Sequence, residues 1–319
     1  FLSNGLLKIN GASYEKVSKV GTDLIIEDPD GKIWFGGKKL CSYDGNNVIE
    51  YSKKELGGKK ITALHYDNSG NMWIGTKNGV SVYDGKGWKI FKNVSNCPTK
   101  SVNSIISDSK ENTWIGAKDG VFKYDGNNWQ HFTVNDGLVT DGTLILRDHN
   151  NTIYAIAGKP EKEGIGIVVV DFGIGLNTAL AKSGLSIYEN GSWMAFNNKK
   201  EVPTDIYPVF FEDKSGNLWF NSKEKIIYKF DGMTWTSYAE SNGFSSNHFN
   251  TMLEDSKGNY WFGLSGTLGR NGIGKFDGQN WSYFNKESGL PSNIISSILE
   301  DKNGNIWFGT LKGVAKYTP

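Results

Sequence analysis

Of 319 residues, 40 are glycine and only 7 proline, while Trp, Tyr and Phe together make 13%; turn-forming glycine joined to aromatics suited to a pleated surface points to short strands and away from disorder. Thirty-five basic against 34 acidic residues leave a net charge of +1, without the basic excess of a dedicated nucleic-acid binder. No apolar run approaches the roughly 20 residues that span a bilayer, so the chain is not membrane-spanning as given.

The chain starts at Phe1 rather than Met, and a signal peptide or linker is expected to precede it. GLLKING (5–11) resembles the third-strand segment GVSVYDG (79–85) of a repeat that follows. The stretch after Gly11, ASYEKV, is expected to supply an outer strand missing from the last repeat and so to close a ring, which removes a free sheet edge.

From residue 28 one pattern recurs: Asp, two residues, Gly-Asn, any residue, Trp, an aromatic or Ile, Gly. It reads DPDGKIWFG (28–36), DNSGNMWIG (67–75), DSKENTWIG (108–116), DKSGNLWFN (213–221), DSKGNYWFG (255–263) and DKNGNIWFG (301–309), with a degenerate copy DHNNTIYAI at 148–156. The key aromatics are Trp34, Trp73, Trp114, Tyr154, Trp219, Trp261 and Trp307, spaced by 39, 41, 40, 65, 42 and 46 residues. Seven copies with a period near 40 carry one large insertion, in the fourth.

Each copy divides into four short strands. In the second they are ITALHYD (61–67), NMWIG (71–75), VSVYD (80–84) and GWKIF (87–91), joined by NSGN, TKNG and DGK, all turn chemistry. No segment holds a 3.6-residue apolar period, so helix is nearly absent. Four strands per repeat, seven times, predict an all-β, seven-bladed β-propeller of four-stranded antiparallel blades, a single domain over 1–319. Trp73 and Gly75 face the same side of their strand, so a bump and a hollow are offered to the neighbouring blade, and the indoles are read as core. The two cysteines, Cys41 and Cys97, allow one bridge or two free thiols and leave the compartment open.

The segment GLPSNIISSILEDKNGNIWFGTLKGVAKY (289–317), echoed at 243–263 and 101–126, resembles the repeat of the two-component regulator propeller family. The likeness runs over nearly the whole chain and lapses in the fourth copy, where the Trp and Gly are lost. It implies an exported, periplasmic or secreted sensing or binding module, often carbohydrate-responsive, and supplies no catalytic residues.

The blade puts its first-to-second and third-to-fourth turns at one end, and its second-to-third loops and blade connections at the other. The first end is tight and rich in aspartate (Asp28, Asp67, Asp108, Asp213, Asp255, Asp301, and Asp44, Asp84, Asp125, Asp231, Asp277). The second holds the long pieces, 93–101, 197–205 and 240–248, and is where binding is expected. Lys38, Lys77, Lys118 and Lys223 each follow a key Trp by four residues, with Arg270 nearby in its copy, so a basic mouth for an anionic ligand, such as an acidic sugar, is expected. Asp23, Thr62, Asn103, Thr143, Asn250 and Ser296 share one position at the start of the innermost strands, with Pro208 in the fifth copy. A polar ring there suits a ligand or ordered water. Asn103, Asn250 and His248 join the lysines as candidate ligand contacts.

The insertion at 158–184 contains an apolar run, Ile165 to Phe172, expected as an extra strand in a hairpin over the loop face. Its glycines do not make a phosphate-binding fingerprint. An enzyme reading, a propeller lyase, finds only His248 near the mouth; no nucleophile elbow, HExxH or zinc spacing is present. No cofactor or metal is expected, the DxxGN turns lacking a full calcium loop. The preferred reading is a non-catalytic, extracytoplasmic sensor for a small molecule or oligosaccharide; a protein-docking scaffold is the third.

Overall fold

A computed structural model describes residues 6–10, 13–18, 22–58, 60–91, 94–141, 143–148, 150–157, 185–196, 203, 206–222, 224, 226–239, 248–265, 272–310 and 312–319. The chain is all-β, with the blades of a seven-bladed β-propeller: antiparallel sheets at 22–51, 61–90, 102–132, 143–195, 206–238, 248–284 and 295–317. The first six have four strands and the seventh, among the described residues, three. In blade 2 the strands are Ile61–Tyr66, Met72–Thr76, Gly79–Tyr83 and Trp88–Ile90, each within one residue of its sequence expectation. The α-helix among the described residues is one turn, Lys53–Leu56, capped by Ser52 and Glu55 in a reciprocal box, and Val134–Asp136 and Lys286–Ser288 are single 3-10 turns.

Two compact units divide the sheets, blades 1–4 in one and blades 5–7 in the other. Ser13–Ser18, which holds most of the stretch expected in the last blade, pairs with Leu6–Asn10 as an N-terminal hairpin. A hairpin closes its loop within a few residues, so its ordering entropy is small.

In blades 1 and 2 the hollow beside the indole is filled by a β-branched residue of the next blade. A Cβ on Gly36 would lie 2.9 Å from Ile61, and one on Gly75 would lie 2.6 Å from Val102 Cγ1. Trp34, Trp73, Trp114, Trp219 and Trp261 pack along their own sheets and against the next blade's aromatics, whereas Trp307 is 36% exposed. Trp73 stacks on Phe91 (centroids 5.8 Å, 3° between planes) and meets the edges of Tyr124 and Trp129. Trp34, Trp73, Trp114, Trp219 and Trp261 are all buried.

Half of the aspartates expected at an acidic rim are not surface charges. Each repeat Asp accepts the indole N–H six residues on: Trp34 to Asp28 2.9 Å, Trp73 to Asp67 2.7 Å, Trp114 to Asp108 2.8 Å, Trp219 to Asp213 2.9 Å, Trp261 to Asp255 2.8 Å and Trp307 to Asp301 2.8 Å. In the degenerate copy the Tyr154 hydroxyl donates to Asp148 at 3.2 Å. The other carboxylate oxygen closes the turn, as where Asp108 Oδ1 accepts from the backbone of Lys110 and Asn112. A buried indole N–H usually finds an acceptor, and the DxxGN turn delivers one to each repeat Trp. Of these eleven aspartates the exposed ones are Asp44, Asp84, Asp125, Asp231 and Asp277, each accepting two turn N–H groups, as Asp84 does from Lys86 and Gly87.

These bonds set an acid limit. Burial pushes the Asp108 and Asp255 carboxyls up, but the indole, the Asn112 or Asn259 amide and the turn N–H groups outweigh it and hold both below the ordinary value. Backbone N–H groups, that of Thr234 first, bring Asp231 down to about 2. A carboxyl lowered in the folded state stabilises above its unfolded value of about 3.9 and loses that contribution as pH falls through the folded value. Urea midpoints are therefore expected to hold from pH 7 to about 5 and drop steeply below pH 4, and a flat profile to pH 2.5 would contradict this.

Candidate ligand-binding site

In the unit of blades 1–4, Lys38, Lys77 and Lys118 occupy one equivalent place, the turn between the second and third strands, and all three are exposed. Two of the turns are tied to the inner strand. Lys77 donates its backbone N–H to Lys60 O at 3.2 Å and Lys118 to Ser101 O at 2.9 Å, tying the turn to the entry of the innermost strand. Thr76 Oγ1 braces the blade 2 turn by donating to Gly79 O at 3.0 Å. Counter-charges stand close by: Lys39 pairs with Glu50 at 2.6 Å and Lys100 with Asp119 at 3.8 Å. Lys223 and Arg270 lie outside the described residues, as does the 158–184 insertion with its expected hairpin.

The shared polar position has a structural identity that sequence reasoning missed. In the innermost strands the register slips between Thr22 and Leu24, Ile61 and Ala63, Val102 and Ser104, Phe249 and Thr251, and Ile295 and Ser297. The residue skipped each time is Asp23, Thr62, Asn103, Asn250 or Ser296, so each is the extra residue of a β-bulge, released from the ladder. Pro208 falls in the longer slip between Ile206 and Phe210, where a missing N–H costs no ladder bond. Thr143 differs, pairing with Ala157 in regular register. Asn103 is half-buried. Asn250 and His248 lie on the strand His248–Glu254, where His248 faces Ser265 across the ladder; their side chains lie outside the described set.

Other groups that could do chemistry are engaged in structure. His65 Nε2 bonds Ser107 Oγ at 2.8 Å, between blades 2 and 3. His131 stacks on Phe122 (4.1 Å, 4°) and bonds Asp119 O at 2.8 Å. Cys41 and Cys97 are buried free thiols, and burial pushes Cys41 up to about 11.

At the opposite, turn end of the same unit a groove of about 530 Å³ opens between blades 2 and 3. Trp73, Val82, Lys89 and Tyr124 line it, and Asp84, Glu111 and Asp125 stand among its charged groups. Sequence reasoning placed no site there. The signal was present, since the residue before the third-strand Tyr or Phe is Lys in four copies (Lys123, Lys229, Lys275, Lys316) and Val82 in the second.

Residues 55–78, 243–266 and 289–312 match the two component regulator propeller model. No curated protein sequence is significantly similar to the chain. Among solved structures it resembles the extracellular domain assigned to a hybrid two component system, BT3049, of B. thetaiotaomicron (19% identity, 93% of this chain and 39% of that one, TM-score 0.58). It also resembles the extracellular domain assigned to the one component system BT4673 of the same organism (20%, 93% and 38%, 0.55). Virginiamycin B lyase of Staphylococcus aureus is similar over most of its length (13% identity, 93% of this chain and 94% of that one, TM-score 0.52). The chain thus spans about two fifths of the length of the two sensor ectodomains, and what it shares with all three is the propeller fold.

Proposed function

We propose that this chain, built of two component regulator propeller repeats, is the non-catalytic ligand-sensing part of an extracytoplasmic signalling protein, and that its ligand is an acidic oligosaccharide met at the loop face. The observation that carries this reading is the repetition of an exposed lysine, Lys38, Lys77 and Lys118, on equivalent turns of one unit, the last two tied to the innermost strand. Lysines fixed at equivalent places concentrate an anion more effectively than scattered ones. The engagement of His65 and His131 in blade packing and the likeness to extracellular sensor domains support the same reading.

Thermal-shift titration with galacturonate and glucuronate oligomers tests it, since a ligand of the folded state raises its stability. Lys77→Ala with Lys118→Ala is expected to weaken binding about tenfold, roughly 1.4 kcal/mol, while each change moves stability by no more than about 0.5 kcal/mol. Equal binding by the double variant, or silence across acidic and neutral oligomers alike, would defeat the proposal.

The near-complete mutual coverage with a lyase favours one alternative, catalysis at the same mouth. Should a substrate emerge, unchanged turnover in His248→Ala would remove its only named catalyst.

A further inference from the structure

The blades carry their own example of how they bind a cation. Across the ladder Trp114 faces Lys123, Trp219 faces Lys229, Trp261 faces Lys275 and Trp307 faces Lys316. Each ammonium lies over the indole facing it, at 5.2, 5.4, 5.1 and 5.5 Å from the ring centroid. That distance is the range in which a ring face attracts a cation. In blade 5 the ammonium also comes within 4.0 Å of Asp213 Oδ2, the carboxylate that accepts the Trp219 indole N–H. In blade 1, where Trp34 faces Ser42, Lys32 supplies the cation at 5.5 Å.

Blade 2 departs from this. Trp73 faces Val82, and among the described residues no lysine lies over its ring. The groove opens at this point, with Trp73 and Val82 in its lining and Asp67 beside them. Lys89, which faces Val82 across the ladder, reaches past the Trp73 ring to Phe91 of its own blade, stacked on Trp73, and to Tyr124 of the next. It lies over the Phe91 and Tyr124 rings at 4.9 and 5.6 Å and donates to the Tyr124 hydroxyl at 3.3 Å. Four carboxylates (Asp67, Asp84, Glu111 and Asp125) line the groove against two ammonium groups, Lys89 and Lys110. Its field therefore favours a cation, the opposite of what the lysines at the loop end favour.

We infer that this groove is a second binding site, for a primary alkylammonium, which takes the place over Trp73 that the chain's own lysines occupy over the indoles of blades 1, 3, 5, 6 and 7, with Asp67 beside it as Asp213 is beside Lys229. A free diamine and the lysine side chain of a peptide share that chemistry.

The decisive variant is Val82→Lys. It installs the residue four other blades already use at this register, and because Lys89 faces it where blades 3, 5 and 6 have Gln130, Thr236 and Ser282, it is expected to fold with a modestly lowered melting temperature while filling the site from within. Indole N–H resonances would be followed during titration with 1,5-diaminopentane, with Nα-acetyl-lysine N-methylamide, and with 1-pentanol as an uncharged probe of equal length. Saturable shifts are expected with at least one amine and none with pentanol, and the tighter amine identifies the source. Val82→Lys is expected to weaken that binding at least tenfold. Glu111→Gln, on an exposed turn, should weaken it severalfold and leave melting unchanged, which keeps the test open should Val82→Lys fold poorly. Amine binding that survives Val82→Lys and Glu111→Gln unaltered, equal response to pentanol, or no saturable shift with either amine would each overturn the inference. None of these outcomes bears on the loop-face lysines.

Discussion

Asp108→Ala is expected to cost about 3 kcal/mol, although it removes a small polar residue from a turn. The carboxylate is 5% exposed and accepts four hydrogen bonds, from the Trp114 indole, the Asn112 amide and the backbone N–H groups of Lys110 and Asn112. Alanine leaves the indole N–H buried at 1% exposure with no acceptor, and an orphaned buried donor alone costs about 1–3 kcal/mol. Loss of the turn's Asx bonds adds to this. Tyr or Phe at Trp114 would not restore stability, because the cavity left by a smaller ring replaces the lost bond. Asp84→Ala, at an exposed turn of similar sequence, is the control and should shift the urea midpoint far less. Equal effects at Asp108 and Asp84 would mean that the repeat Asp is only a turn former.

Gly75→Ala is expected to destabilise by about 1–3 kcal/mol, the usual range for overpacking a full core. Its added methyl would stand 2.6 Å from Val102 Cγ1 and 3.0 Å from Ala63 Cβ, so blade 3 would have to retreat from blade 2. The mechanism is separable. Val102→Ala alone should also destabilise by opening a void, yet the pair Gly75→Ala with Val102→Ala should recover part of the loss. A coupling energy of about 1 kcal/mol or more in that cycle is expected for residues in contact. Strict additivity would show that the hollow does not seat the neighbouring blade.

The blades were legible because their signal is local and repeated. Strand limits in blade 2 follow from alternation between turn residues, and alternation at period two needs no knowledge of the neighbours. Trp73 and Gly75 could likewise be placed on one face by counting. What fills the hollow could not, since Val102 lies 27 residues on and reaches it only when two blades pack. The aspartates were misread for a related reason. Asp28 and Asp44 both stand in glycine-rich turns and look alike in sequence, but one turn points its second carboxylate oxygen inward at an indole and the other leaves it in water.

The candidate sites divide in the same way. Lys38, Lys77 and Lys118 were found by their offset from the repeat Trp, and their exposure follows from lying in two-residue turns. The polar position at 62 and 103 was visible as a column, but that it is a bulge depends on register between strands, which hydrogen bonding decides. The groove was written as one exception, Val82 among lysines, whose meaning needs distances across the ladder and to the next blade. Sequence by itself determined the repeat, the strand count and the face of each side chain, because these are properties of a chain three or four residues at a time. Only tertiary structure decided which polar groups are consumed in holding the blades and which are left to meet a ligand, because burial and hydrogen-bond partnership belong to pairs of segments that packing brings together.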